Sequence, residues 1–216
     1  ERAEDILSQM NRPNVITYTA VLEAWSKSSR KDAVARAFAL LNSMNATPNV
    51  TTFNTMIKVI GNSRTETDKL GSLQVVRSMM QEANCQPNLR SFNAILTVCA
   101  ADSEERALDY ALDILEEIRS TPKMIDQIDN YTYPSLFKVL ATHGASFEVV
   151  KEVFSICCED QAVTRMVVSH MKRCLSIPEL QELLPVYNVE NFELRELPHA
   201  WRKRYERTHE KQRRRR

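Results

Sequence analysis

The feature that most constrains this chain is a short string that recurs three times at nearly regular intervals. Each copy is a Pro-Asn pair, an aliphatic residue, two variable residues and an aromatic residue; the copies read PNVITYT, PNVTTFN and PNLRSFN. Their aromatic residues are Tyr18, Phe53 and Phe92, and a weaker fourth copy places Tyr133 in the same register. The spacings are 35, 39 and 41 residues, and a period near 35 is typical of helical-repeat proteins. We therefore expect a repeat solenoid, a class that usually acts through an extended surface.

Each copy also predicts the start of an amphipathic helix. In the first copy Asn14 can cap a helix whose apolar residues recur at i, i+3, i+4 and i+7. The predicted core residues of the four copies are Tyr18, Val21, Leu22, Trp25; Phe53, Met56, Ile57, Ile60; Phe92, Ile95, Leu96, Cys99; and Tyr133, Leu136, Phe137, Leu140. A second helix is predicted after each, at 32–44, 69–80, 104–118 and 147–158. Only three glycines occur and no stretch alternates apolar with polar residues, so the expected fold class is all-α.

The repeats suggest a division of the chain into three parts. Residues 1–160 are predicted to form the array, with a partial repeat at 1–14 and repeats at about 15–49, 50–88, 89–129 and 130–160. The extra residues of the longer repeats are assigned to loops at 61–72 and 120–129, which are rich in turn formers. Residues 161–198 are predicted to be a C-terminal helical cap that shields the last apolar face. Residues 199–216 form a basic tail, with a helix or arm expected from Leu194 to about Gln212.

The net charge of +1 conceals an uneven distribution along the chain. The tail contains nine lysines and arginines against two glutamates, whereas residues 1–198 carry 20 basic and 26 acidic side chains, a net charge of −6. A mildly acidic body cannot hold nucleic acid by bulk charge, so any such binding there must be local. No apolar run approaches the length of a membrane span, and we expect no membrane association.

The recurring strings and their spacing resemble the pentatricopeptide repeat family over roughly residues 3–160. The resemblance implies a right-handed α-solenoid of helix–turn–helix repeats in which single-stranded RNA lies along the concave face, one base per repeat. In that family the base is selected by the residue after the motif aromatic together with the last residue of the repeat. It also implies a mitochondrial or plastid location, with the targeting segment outside this sequence.

Residues that match the family pattern are candidates for RNA binding. The implied base-selecting pairs are Thr19 with Asn49, Asn54 with Asn88, and Asn93 with Asp129, which the family's code would match to adenine, a pyrimidine and uracil. Ile16, Thr51 and Arg90 fall where the family wedges side chains between bases. Pro134 occupies the selecting position of the fourth repeat and offers no side-chain hydrogen bond, so that repeat is predicted not to select a base.

The basic tail interleaves Trp201 and Tyr205 with arginines and lysines. This composition favours an RNA-binding arm in which Arg202, Lys203 and Arg204 contact phosphates and the aromatic rings stack on bases. Two alternatives are a solubilising end in which Trp201 packs with Leu197 on the last helix, and a localisation signal.

No catalytic or metal-binding pattern stands out. His170 and Cys174 have the i, i+4 spacing that zinc ligands use, with Cys157 and Cys158 nearby, but buried thiols beside a surface histidine are the commoner arrangement. Five cysteines without framework spacing favour reduced thiols in an intracellular or organellar compartment. No phosphate-binding loop, nucleophile elbow or deaminase string occurs, so no cofactor and no catalysis are expected.

The leading hypothesis is a non-catalytic adaptor that binds single-stranded RNA (messenger or ribosomal) in an organelle. It would serve transcript processing, stability, translation or ribosome architecture. A helical scaffold that grips a partner protein without reading bases is the alternative, favoured by the acidic body and the irregular repeats. A third possibility is an enzyme whose catalytic domain lies outside this sequence.

Overall fold

Residues 2–202, the part of the chain that the computed structural model describes, are helical with short connections and contain no strand. The helices are α1 (Arg2–Ser8), α2 (Val15–Ser26), α3 (Ala33–Asn42), α4 (Val50–Asn62), α5 (Lys69–Glu82), α6 (Leu89–Cys99), α7 (Arg106–Ser120), α8 (Pro122–Ile125), α9 (Thr132–Thr142), α10 (Phe147–Glu159), α11 (Arg165–Cys174) and α12 (Ile177–Leu183). A 3-10 turn follows at Leu194–Glu196. The predicted all-α helical-repeat class is confirmed.

The chain divides into two compact units, one ending at Val98 and the other beginning at Cys99. In the first unit α2 pairs with α3, and α4 pairs with α5. The first helices of these two pairs, α2 and α4, pack side by side, and α3 also packs on α4. The short helix α1 packs on α2 as α3 does on α4, so it matches the second helix of a partial repeat.

The second unit continues the same scheme beyond the four predicted repeats. Helix α9 pairs with α10, α7 packs on α9, and α11 packs side by side with α9 and contacts α12. Helix α11 is capped by Thr164, whose hydroxyl oxygen accepts from the Val167 amide at 3.2 Å. Val168 then lies where the first helices of the other repeats carry their aromatic residue, and it is buried. Helices α11 and α12 thus form a fifth, shorter pair within the segment predicted to be a cap; the capping role itself stays a prediction.

The core consists of the residues that the helical periodicity selected. All sixteen predicted core side chains are buried, and Phe53, Phe92, Tyr133 and Phe137 are among the largest that are fully enclosed. Burial of one such side chain contributes about 1.5–3 kcal/mol relative to exposure. The motif aromatic is therefore a structural residue that holds the two helices of a repeat together.

Each unit contains a side-chain hydrogen bond to a backbone carbonyl oxygen near the end of a first helix. In the first unit Asn62 Nδ2 donates to the Ser26 carbonyl oxygen at 2.9 Å. In the second, Thr142 Oγ1 donates to the Ala100 carbonyl oxygen at 3.4 Å. Asn62 and Thr142 both lie nine residues after the motif aromatic, so the same bond recurs. These bonds satisfy carbonyl groups that a helix end otherwise leaves unpaired.

The second unit also contains a buried polar network around Tyr133. Its hydroxyl donates to Asp160, and Arg119 Nη1 lies 3.3 Å from Asp160 Oδ2. Burial raises the pKa of Tyr133 far above its ordinary value, so the phenol keeps its proton and remains a donor. The network ties α7, α9 and the end of α10 together.

Helix boundaries agree with the predictions to within a few residues, with three differences. Helix α4 continues to Asn62 and α5 begins at Lys69, so the predicted 61–72 loop is confined to 63–68. The predicted 120–129 loop contains the short helix α8, started by Pro122. The helix predicted from Leu194 is wrong at its beginning, because a 3-10 turn and Pro198 precede a helical segment that starts at residue 199.

Candidate nucleic-acid interface

Each first helix begins with the same capping arrangement. The Oδ1 atom of the cap residue accepts from the backbone amide three residues later, at 3.1 Å for Asn14, 3.0 Å for Asn49 and Asn88, and 3.2 Å for Asp129. These four are the residues predicted to cap a helix or to end a repeat. Asp129 lies four residues before Tyr133, as Asn49 lies four before Phe53, so the cap keeps its register despite the longer repeats.

A threonine or serine directly before the motif aromatic completes the cap. Thr17, Thr52 and Ser91 accept from the cap residue's own backbone amide, at 2.9, 3.3 and 3.1 Å. At the fourth helix Thr132 Oγ1 donates to Asp129 Oδ1 at 3.2 Å. This position was not among those predicted from the sequence, although a hydroxyl residue precedes all four aromatics, as the capping-box pattern requires.

The residues predicted to wedge between bases and the residues directly after the motif aromatics lie on one face of their helices. We call this face the recognition stripe; it consists of the residues two before, one after and five after the motif aromatic position. The spacing of i, i+3 and i+7 places them in line along the helix. The stripes are Ile16, Thr19, Glu23 on α2; Thr51, Asn54, Lys58 on α4; Arg90, Asn93, Thr97 on α6; Tyr131, Pro134, Lys138 before and on α9; and Met166, Ser169, Arg173 on α11.

The leading residue of every stripe is exposed. Ile16 is 73% exposed, Tyr131 71% and Met166 54%, and Thr51 and Arg90 are exposed as well. Three of the five are large apolar or aromatic side chains that contribute nothing to the core. Tyr131 and Met166 were missed by the sequence analysis, Tyr131 because the fourth copy lacks the Pro-Asn pair, and Met166 because α11 has no motif aromatic.

The middle residues of the stripes differ in whether their polar side-chain atoms already form hydrogen bonds within the protein. Thr19 Oγ1 donates to the Val15 carbonyl oxygen at 2.7 Å and lies 3.0 Å from Thr52 Oγ1. Thr52 Oγ1 also lies 3.2 Å from Asn49 Oδ1, so Thr52 lies between the two members of the predicted Thr19–Asn49 pair. Asn54 is half-buried, and its Oδ1 has no hydrogen-bond partner among residues 2–202.

Asn93 and Pro134, the middle residues of the next two stripes, also differ in their burial and hydrogen bonding. Asn93 is half-buried at the equivalent place on α6, and its backbone carbonyl oxygen accepts from Thr97 Oγ1 at 2.8 Å. Its predicted partner Asp129 belongs to the other unit, and the pairing stays a prediction. Pro134 is buried, and its inability to select a base stays a prediction.

The last residue is charged on four of the five stripes, and the exception is Thr97 on α6. In the first unit Lys58 Nζ lies 2.6 Å from Glu23 Oε1, joining α2 and α4. The hydrogen bond from Lys58 lowers the pKa of Glu23, so the pair is ionised at neutral pH. In the second unit the equivalent residues are Lys138 and Arg173, which are both exposed and both cationic.

The described part of the tail is packed against the second unit. Trp201 meets Phe154 edge to face, with ring centroids 5.6 Å apart, and its carbonyl oxygen accepts from the Val163 amide at 2.9 Å. Arg202 donates from Nε to the Leu197 carbonyl oxygen at 3.2 Å. These contacts give Trp201 and Arg202 structural roles, and Trp201 packs on α10 instead of standing out as a stacking platform. Lys203, Arg204 and Tyr205 lie outside the described residues.

The histidine and cysteines considered as metal ligands lie apart from the stripes. His170 is only 7% exposed, so the expectation of a surface histidine is wrong. Burial raises the pKa of the Cys158 thiol to about 12, which keeps it protonated. Over residues 2–202 no three His, Cys, Asp or Glu side chains gather in a way that could hold a metal ion. No helix in that range is both long and apolar enough to span a bilayer.

Paired helices with identical caps, stacked through their first helices, define a helical-repeat protein. The model of the pentatricopeptide repeat domain matches residues 4–63 and 66–102. This match covers a little under half of the chain and supports a pentatricopeptide repeat protein. Comparison with curated proteins gives no match.

Proposed function

We propose that this chain is a non-catalytic protein that binds single-stranded RNA through its recognition stripes, one base per repeat. The observation that carries the proposal is the exposed leading residue of every stripe. Ile16, Tyr131 and Met166 expose apolar surface at the same register position, where packing gives them no role. An unstacked base offers the flat apolar partner that such side chains lack, and stacking of this kind is worth about 1–3 kcal/mol per base.

The middle residues would select the base. Thr19 and Asn49, with Thr52 between them, present hydroxyl and amide groups from two successive helix starts. The unsatisfied oxygen of Asn54 costs about 1–3 kcal/mol while it stays buried without a donor. A base amino group is one donor that could satisfy it after rotation of the amide. Asn54 with Asn88, and Asn93 with Asp129, would address the next two bases.

The family implies where such a protein acts. We infer an organellar location, in mitochondria or plastids, and a role in RNA processing, stability, translation or ribosome architecture. The residues at 203–216 add a dense positive charge, which would strengthen binding through phosphates without adding sequence preference.

The test compares a stripe variant with a matched variant on the second helices. The stripe variant carries Thr19→Ala, Asn54→Ala and Asn93→Ala. The control carries Ser78→Ala, Gln74→Ala and Gln81→Ala, which removes one hydroxyl and two amides from exposed positions of α5 in the same unit. Each protein is incubated with a randomised single-stranded RNA pool, and the captured RNA is sequenced at several salt concentrations.

The parent and the control should enrich the same short sequence, and the stripe variant should lose that preference. Discrimination of each base should fall about tenfold or more, since a good base contact is worth about 1–3 kcal/mol. Unchanged enrichment by the stripe variant would show that the repeats do not read bases. A parent that captures no RNA even at low salt would instead favour the protein-scaffold alternative.

A further inference from the structure

The exposed cations Lys138 and Arg173 occupy equivalent places on two helices that lie side by side. Each is the last residue of its stripe, five residues after Tyr133 and Val168 respectively. Helices α9 and α11 pack together as α2 and α4 do. On α2 and α4 this register brings Glu23 and Lys58 to 2.6 Å, so Lys138 and Arg173 are expected to be neighbours.

Neither cation is neutralised by the residues around it. Within residues 2–202 neither Lys138 nor Arg173 forms an ion pair. The acidic side chains that follow α11 are engaged elsewhere: Glu179 accepts from the Ser176 amide at 2.7 Å, and Glu182 lies 2.6 Å from Lys151 Nζ. Two like charges side by side repel each other, and the repulsion is relieved when an anion binds between them.

A buried histidine on α11 lies within the electrostatic reach of both cations. His170 is buried on α11, and its pKa is lowered by burial and then by the charges of Arg173 and Lys138. The imidazole is therefore neutral at pH 7 and adds no third charge. Its Nδ1 atom is buried with no hydrogen-bond partner within the described residues.

We propose that Lys138 and Arg173 form a binding site for a phosphodiester group of single-stranded RNA. The inference rests on the proposed function and assigns a different task to the second unit. There the middle residue of the stripe is Pro134 on α9, which has no hydrogen-bonding side chain, and Ser169 on α11. The second unit binds the phosphates of the RNA regardless of the RNA sequence, whereas the stripes of the first unit select bases.

The experiment uses the full chain, so that the tail is the same in every protein. The site variant carries Lys138→Gln and Arg173→Gln. The matched control carries Lys123→Gln and Arg106→Gln, which removes the same charge from exposed positions of the same unit away from the stripes. A third protein, Lys138→Arg with Arg173→Lys, keeps both charges. Binding of a labelled single-stranded RNA of the enriched sequence, and of a scrambled one, is followed by fluorescence anisotropy across a salt series.

The site variant should bind both RNAs about tenfold more weakly at low salt, and its log–log salt slope should be shallower by about 0.7, the change expected when one phosphate contact to single-stranded RNA is lost. The control and the charge-keeping protein should match the parent, and the ratio between the two RNAs should stay unchanged. The proposal is overturned if the site variant and the control weaken binding equally, or if the site variant alters only the ratio between the RNAs. If the parent protein binds neither RNA, the proposed function and this site are both overturned. If the parent binds RNA and the site variant binds it equally well, only the site is overturned.

Discussion

The two units share the same helix caps and buried aromatic positions but differ in the charged residues on their recognition stripes. Both contain first helices that start with an Asn or Asp cap and bury an aromatic residue four positions later. At the last position of the stripes the first unit pairs Glu23 with Lys58, while the second leaves Lys138 and Arg173 as two exposed cations. Positions that hold the fold are thus repeated, and positions that face outward are free to diverge. The difference is the reason to assign base selection and backbone binding to separate units.

The units also differ in how the motif aromatic is held. In the first unit Phe53 and Phe92 carry no polar group and the Tyr18 hydroxyl accepts from the Asn45 amide at 3.5 Å, whereas in the second unit Tyr133 adds a buried hydroxyl that donates to Asp160, beside Arg119. A buried polar network contributes only when all its members are satisfied. The second unit should therefore be the more sensitive to single polar substitutions, which the following changes test.

The largest effect is expected from Asp160→Ala. Asp160 is 8% exposed, and its loss leaves the Tyr133 hydroxyl without an acceptor and Arg119 without its inner partner. Removing one member of a buried pair destabilises by about 3–5 kcal/mol. Urea unfolding followed by circular dichroism measures the loss. The control is Glu159→Ala, which removes the exposed partner of the same arginine and should cost less than about 1 kcal/mol; equal losses would contradict a buried network.

An intermediate effect is expected at the caps, and here the units should agree. Asn49→Ala and Asp129→Ala each remove the acceptor for two backbone amides at a helix start. Each should cost about 1 kcal/mol, and substitution by Gly only a few tenths of that amount. Amide hydrogen exchange should show faster opening of the first turn of α4 or α9 respectively. If exchange in the first helical turn becomes faster in only one of the two variants, the caps are not equivalent in the two units.

The smallest effect is expected from Glu23→Gln at neutral pH. The Glu23–Lys58 pair is exposed, so its loss should cost about 0.2–1 kcal/mol. The hydrogen bond from Lys58 depresses the pKa of Glu23 below its ordinary value of 4.5. The pair therefore stabilises the fold above that value, and the contribution is lost as pH falls through the folded pKa. The thermal unfolding midpoints of parent and variant should differ at pH 7 and become equal at acid pH. A difference between the midpoints that grows on acidification would refute the pairing.

The sequence predicted the buried residues of the first four repeats well, but it did not predict the packing of α11 or the contacts of Arg202. Apolar periodicity located Tyr18, Phe53, Phe92 and Tyr133 in the core, because burial is a property of the local helical pattern. It could not show that α11 stacks on α9, since Val168 replaces the aromatic and no Pro-Asn pair precedes it. Nor could it foresee that Arg202 donates to backbone carbonyls, because those carbonyls are exposed only by the turn at Leu194–Glu196. Contacts between distant segments lie beyond any local pattern.

The cap geometry has a consequence for hydrogen-bond polarity. Because Asn49 Oδ1 is committed to the start of α4, the amide can offer a ligand only its NH₂ group, a donor. An aspartate in the same place, as at Asp129, has no donor to offer. Asn and Asp cap helices almost equally well, so Asn49→Asp should leave folding intact while it converts the outward group from donor to acceptor. At these positions one atom of the side chain serves the fold and the other is free for recognition, so the two functions can be varied independently.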